Sequence, residues 1–435
     1  MRVALASSLR SAGELDRCRT TLLDAIDRLP PDAHARRVEL TASCAEVEHW
    51  LGRREDAHRR LVRAAHELPE SYSCEAAVLQ LELMVAALYA LDHEEALAAG
   101  QRALDAARRN DNTALIAAAG AALALGEASA GRIAAAREHR EEVVERLERL
   151  TDTEIAARLE VLFYLAWAEN YLERFDEAME HSRRGIAIAR ATGQGRLLVP
   201  MMLVQGWPLE MTGRLPEAVE VCEEATEAAR LSANPRYLFW ALWELGLARG
   251  WSGDLEGALT ALEQSAEIAG GLASGLMPAG SGEPGWSLGV ALADTGQVER
   301  GISVMLDAAG GPELERVIPV ERCFAWEDLA LAELRRGDIA AADAYARRAE
   351  ENAAVLGLAV PAACAGRSRA AVLLATGKPL EAPSLPKRPS SFSARRRSSR
   401  TCAIASRSST SPPGSRSPAW SSANDGLLGD EGRRG

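Results

Sequence analysis

Leu245-Gly246 followed by Gly253-Asp254-Leu255-Glu256-Gly257-Ala258 is the stretch on which the reading of this chain turns. Gly253 stands seven residues after one small residue, Gly246, and five before another, Ala258, with the apolar Leu255 two positions on. Working outward on that register, the turn position falls at Gly13, Gly52, Leu91, Gly131, Glu173, Gly213, Gly253, Gly296, Gly337 and Gly377, a spacing of 39 to 43 residues. The small residue after the turn is Cys18, Ala57, Ala96, Ala136, Ala178, Ala218, Ala258, Gly301, Ala342 and Ala382. The one before it is Ala6, Ala45, Ala124, Ala166, Gly206, Gly246, Gly289, Ala330 and Ala370, with Met84 the exception.

Each copy therefore reads as a helix, a tight turn and a second helix packed back on the first. A glycine just past a helix end lets the chain enter the left-handed region without a Cβ clash. Small residues on the facing surfaces let the two backbones approach closely. A single hairpin of this kind leaves an apolar face bare, so neighbours must stack, and the period predicts an all-α, right-handed superhelical solenoid of about ten hairpins. The pattern resembles the tetratricopeptide repeat, whose Leu-Gly, turn glycine, apolar and alanine positions correspond to Leu245-Gly246, Gly253, Leu255 and Ala258. The period of about 40 exceeds the usual 34, which implies longer helices. Long-period arrays of this kind look like the helical-repeat region of large ATP-binding LuxR-type (MalT-like) bacterial transcriptional regulators. HEAT and armadillo arrays share the period but lack the glycine register.

Composition agrees with helix-on-helix packing. Hydrophobic residues make up 47% of the 435 and aromatics only 5%, a balance that favours Ala/Leu interfaces over sheets. The seven cysteines (Cys18, Cys44, Cys74, Cys222, Cys323, Cys364, Cys402) form no C-x-x-C and read as buried small residues of a reducing compartment. No apolar run reaches membrane-spanning length, and Met1 to Leu9 meets Glu14 and Asp16 too soon for a signal peptide, so a cytoplasmic location is expected.

Residues 1–382 are expected to form the solenoid, with an incomplete first hairpin that reads as a start inside a longer array. Residues 383–435, rich in Ser, Pro and Arg, are expected to be disordered. The change in mid-hairpin looks like a shifted reading frame as much as an evolved tail. The formal charge of −12 divides into −19 up to residue 381 and +7 beyond it. An acidic solenoid repels phosphates, so direct nucleic-acid binding by the solenoid is not expected; the basic tail keeps that option open, with only Phe392 and Trp420 for stacking. Pro208, five residues before Gly213, predicts a kinked helix with the carbonyl of Val204 deprived of its donor. Gly270 to Gly285 reads as a long inter-hairpin loop, and its G-x-G-x-x-G lettering lacks the preceding strand that a phosphate cradle requires.

Nothing in the chain predicts catalysis. The histidines never take metal-ligand spacing, Walker A and G-x-S-x-G are absent, and no metal or cofactor is expected. Tryptophan stands out instead. If the first helix of each hairpin lines the concave side, the inward positions lie two, three, six, ten and thirteen residues before the turn. Trp167, Trp207, Trp240, Trp243, Trp251 and Trp286 fall on them, as do Phe163, Asn170, Tyr171, Glu210, Met211, Glu283, Asp294, Phe324 and Glu327. Aromatic faces with a few carboxylates suit a peptide or protein, or a small sugar-like, amphipathic or cationic inducer; packing of the rings against one another is the alternative. The resemblance implies a ligand-sensing array that lacks its family's ATPase and DNA-binding parts, with a free-standing protein-interaction scaffold as the other reading.

Overall fold

A computed structural model describes residues 2–11, 13–30, 32–232, 234–271 and 282–377. Its helices run α1 (Arg2–Ser11), α2 (Leu15–Asp27), α3 (His34–Trp50), α4 (Arg54–Glu67), α5 (Cys74–Tyr89), α6 (His93–Arg109), α7 (Thr113–Ser129), α8 (Ile133–Leu147), α9 (Asp152–Ala156), α10 (Glu160–Tyr171), α11 (Phe175–Thr192), α12 (Leu198–Met211), α13 (Leu215–Leu231), α14 (Pro235–Ser252), α15 (Leu255–Gly271), α16 (Gly282–Asp294), α17 (Val298–Ala309), α18 (Arg322–Arg336), α19 (Ile339–Leu356) and α20 (Ala359–Ala375). No strand occurs among the described residues. They form nine hairpins and the first helix of a tenth, whose second helix and the tail beyond it lie outside the described residues. Gly282 to Gly285, expected in a loop, open α16. The fifth hairpin divides its first helix into α9 and α10, with a Thr151/Glu154 capping box at its start.

All ten turn positions take positive φ, from 59° at Leu91 and 61° at Glu173 to 99° at Gly296. The two side-chain-bearing residues thus adopt a conformation that costs a non-glycine residue roughly 1 to 2 kcal/mol, and their reason appears below. The small positions behave as contact points. At Gly289 an added Cβ would lie 2.7 Å from the carbonyl oxygen of Gly301, backbone against backbone. At Gly246 it would lie 2.5 Å from Leu262 Cγ. Where Met84 breaks the rule, the bulk is moved rather than added: Gly100 on the facing helix is bare, and a Cβ there would collide with Met84 Sδ and Leu123.

A second device recurs at the hairpin ends. Four residues before the turn, Glu48, Glu127 and Glu169 are buried. Eight residues after it, the second helix returns Arg60, His139 and His181 to them, at 2.8 Å from Arg60 Nη2, 2.8 Å from His139 Nδ1 and 2.7 Å from His181 Nδ1. The preceding hairpin adds Arg19 to Glu48 and Arg140 to Glu169, at 2.8 and 2.9 Å. A buried carboxylate so surrounded is costly to strip of one partner.

The superhelix is wound tightly enough to touch itself. Trp50 of the second hairpin packs edge-on against Tyr237 at the start of α14, with ring centroids 5.8 Å apart. Glu173 in the fifth turn accepts hydrogen bonds from Ala359 N and Val360 N at 2.9 and 2.5 Å. These are the first two residues of α20, whose amides have no partner within the helix, and the third is Pro361, which has no N–H to satisfy. Leu91, the other non-glycine turn residue, packs with Ile318, Val320, Leu356 and Leu358. Both departures from glycine therefore place a side chain on the next superhelical turn, which comes round after roughly four hairpins. The connection between α17 and α18 supplies much of that contact: Leu314, Val317, Ile318 and Val320 are buried although they belong to no helix.

Two expected outcomes follow from this packing. Gly100→Ala should destabilise by about 1 to 3 kcal/mol through overpacking and Met84→Ala by about 2 to 5 kcal/mol through a cavity. In the double variant the two alanines restore the pairing of the other hairpins, so its loss in denaturant titration should fall short of the sum by about 1 kcal/mol or more; strict additivity would show that the two residues do not meet. The second concerns His139. The carboxylate of Glu127 holds its pKa above the ordinary 6.5. A raised folded-state value stabilises fully below 6.5 and ceases to do so as pH rises through the raised value. Glu127→Gln should therefore lower the melting temperature more at pH 6 than at pH 9, and an equal loss at both would exclude the ion pair.

Candidate functional site: the interior groove

Because the first helix of each hairpin lies on the inside of the superhelix, the side chains on its inner face surround a groove. Three contiguous cavities occupy it. The largest, about 590 Å³, is walled by α3, α5, α10, α14 and the Arg196 to Pro200 segment, and it is polar: Arg10, Arg196 and Arg236 face Glu46, Glu82 and Glu160 among Trp50, Tyr164, Tyr237 and Trp240. Trp240 is shared with the next cavity, about 170 Å³, which Trp167, Tyr171, Trp207, Trp243, Glu244 and Glu321 also line. Trp207 and Trp243 in turn border a third, about 100 Å³, with Trp251, Trp286, Asp294 and Phe324.

Of the residues singled out in the sequence, Phe163, Trp167, Tyr171, Trp207, Trp240, Trp243, Trp251, Trp286, Asp294 and Phe324 line these cavities. They also pack on one another. Trp167 and Trp207 lie 6.5 Å apart centroid to centroid, and Trp207 meets Phe324 edge-on at 5.5 Å. Ring-on-ring packing and a lined groove are thus two aspects of one arrangement. The indole N–H groups are held: Trp243 Nε1 donates to Ser287 Oγ at 2.9 Å and Trp286 Nε1 to Asp328 Oδ2 at 3.2 Å.

Other residues of that set serve the packing rather than the groove. Glu327 makes a two-pronged pair with Arg367, both bonds 2.6 Å. Met211 packs among Trp207, Cys323, Val360 and Cys364 and, like Asn170, reaches only a recess of about 20 Å³. Glu210 is buried outside the three cavities, where its charge helps to raise the Cys222 thiol. The Glu283 side chain lies outside the described residues. Asn170 answers the question posed by Pro208. Its Nδ2 donates to Val204 O at 3.1 Å, the very carbonyl that loses its helical donor to the proline. Helix α12 accordingly runs through Pro208 to Met211.

Several groove residues escaped the sequence reading. Trp50 stands two before Gly52, the place Trp251 holds in its own hairpin, so its signal was present. Arg236 is buried and lies 5.1 Å from the ring centroids of both Tyr89 and Trp240, a cation held between two aromatic faces. Tyr237 donates from its hydroxyl to Arg196 O at 2.7 Å. Glu82 projects into the polar cavity, where burial and the nearby Glu46 and Glu160 push its pKa up to about 8. Glu244 is only 1% exposed, and neither carboxylate oxygen has a hydrogen-bond partner. Burial first, then the charge of Glu321, pushes its pKa up to about 8. An acid inside the apolar run Leu242-Trp243-Glu244-Leu245 was a legible sign of it.

Among the described residues no group of His, Cys, Asp and Glu could hold a metal ion, and no helix is long and apolar enough to cross a membrane.

The balance between Pro208 and Asn170 gives a direct test. Asn170→Ala should cost about 1 to 3 kcal/mol, because it leaves the buried Val204 carbonyl unpaired. In a Pro208→Ala background, where residue 208 regains its N–H, the same substitution should cost clearly less; equal costs would show that Asn170 does not serve that carbonyl.

No protein-family model matches the sequence, and no curated protein matches it. Solved structures do match in shape. The Rap protein complexed with competence and sporulation factor superposes with a TM-score of 0.56 at 13% identity, over 86% of this chain and 98% of that one. Aspartyl phosphate phosphatase F from Bacillus subtilis gives 0.48 at 12% identity, over 79% and 92%. A signal-transduction ATPase from Pyrococcus horikoshii with a tetratricopeptide repeat sensor gives 0.44 at 15%, over 76% of this chain and 50% of that one. Ten turn residues at positive φ, a period near 40 and the first of these superpositions together make the fold of this chain a tetratricopeptide-like helical-repeat solenoid.

Proposed function

We propose that this chain is a non-catalytic interaction array whose interior groove receives a peptide or a projecting segment of a partner protein. The observation that carries the reading is the continuity of the groove. Fixed charges lie at one end and indole faces at the other, with Trp240 common to the two cavities that meet there. Such a surface can grip an extended ligand at several points, since aromatic rings supply large contact areas at little entropic cost and ordered charges fix the register. That a protein of this fold has been solved in complex with competence and sporulation factor is consistent with an interior binding surface. The repeat period and glycine register support a finer reading, in which the array descends from the sensor region of a LuxR-type ATP-binding regulator and takes a small inducer in the same groove.

Selection from a random peptide library on the immobilised full chain tests the proposal. Selected peptides should bind the wild type and lose at least tenfold in affinity to Trp243→Ala, while Leu231→Ala on the outer surface, where Leu231 is 80% exposed, leaves binding unchanged. Peptides indifferent to Trp243→Ala, or no selected binders at all, would overturn it.

A further inference from the structure

We infer that the middle cavity is a site for an organic cation, an alkylammonium or guanidinium group, held between Trp207, Trp240 and Trp243 and neutralised by Glu244 with Glu321. The inference rests on the groove being a ligand surface and names the chemistry one part of it selects.

Three independent features converge there. The first is charge. The cavity wall carries two carboxylates and neither lysine nor arginine, and its histidine, His93, is held neutral by burial. The neighbouring polar cavity, by contrast, balances its glutamates with arginines. The second is the state of Glu244. Its carboxylate reaches over Gly206, almost wholly buried, with no hydrogen bond to either oxygen. A buried polar group without a partner is costly, and this one lies in the wall of a cavity rather than in a closed core. Glu321, across the cavity, accepts from Tyr171 Oη at 2.8 Å, which fixes its position. The third is aromatic density. Indole faces attract cations through their quadrupole, most strongly where water is excluded, and the same groove already uses the device once, with Arg236 between Tyr89 and Trp240.

Occupation by a cation would settle what the fold leaves unsettled. Without it, the mutual repulsion of Glu244 and Glu321 and the loss of hydration keep Glu244 protonated. With a positive group between the rings, both carboxylates can ionise, and the proton leaves to solvent. A volume of about 170 Å³ admits a trimethylammonium or guanidinium head with part of its chain.

Two sources of that chemistry are separated by two arms of one experiment on the full chain, read by tryptophan fluorescence and calorimetry. One arm titrates free choline and agmatine against 3,3-dimethylbutanol, the uncharged isostere of choline. The other titrates the groove-selected peptides against versions with arginine replaced by citrulline and lysine by glutamine. The expected result is binding in at least one arm, at least tenfold tighter for the charged member of each pair. Glu244→Gln should reduce that preference to less than threefold, and Trp243→Ala should weaken binding tenfold. Circular dichroism checks that both variants fold; should Trp243→Ala fail to, Trp240→Phe replaces it. Uncharged ligands that bind as well as charged ones would overturn the inference while leaving the peptide groove in place. So would a charge preference that survives Glu244→Gln. Free cations that bind while no peptide does would uphold the inference and overturn the peptide reading. Absence of binding in both arms overturns the two together.

Discussion

The interior of this molecule exists because hairpins four to five places apart in the chain touch. Stacked hairpins alone give an open ramp; it is the return contact that turns the ramp into a groove with walls on more than one side. Glu173 supplies the clearest instance. It occupies a turn position at which seven of the first nine hairpins have glycine, the strain of its left-handed backbone is accepted, and its carboxylate satisfies the two free amides at the start of α20. Leu91 departs from glycine for the same reason with an apolar side chain. At the other end Trp50, Tyr237 and Arg196 make the corresponding closure around the polar cavity.

Tight winding in turn depends on close backbones within each hairpin. The facing small residues set the distance, and where one is large the opposite residue is reduced, as Met84 and Gly100 show. The buried glutamates four residues before the turns then lock the two helices in register through Arg60, His139 and His181. Stability and shape are therefore specified locally, hairpin by hairpin, as expected of a repeat array. The groove is specified only by their accumulation.

That division explains what could be read from the chain. Turn positions, small contact residues and the order of helices are local properties, and even Leu91 and Glu173, which violate the glycine rule, fall on the register and at positive φ. The inward placement of the tryptophans was also legible, because a helix face follows from spacing. Asn170, Glu210 and Glu327 share that spacing yet turn to packing or ion pairing, since a face three residues wide does not tell which side chain a neighbour will claim. The α17 to α18 connection and Glu244 depend on partners 150 residues or one helix layer away. Nothing periodic announces them. The pairing of Asn170 with the carbonyl freed by Pro208 required knowing which helix stands opposite.

The account's central claim is that successive superhelical turns are in contact, and amide hydrogen exchange at Ala359 and Val360 tests it most directly. The opening amides of a helix have no intrahelical partner, so in an open solenoid they exchange as fast as exposed backbone. If Glu173 holds them across the turn, they exchange slowly in the wild type and become fast in Glu173→Ala, while the amides in the middle of α20 are unchanged. Fast exchange at both residues in the wild type, or slow exchange that persists in Glu173→Ala, would contradict the closed superhelix and the groove it encloses.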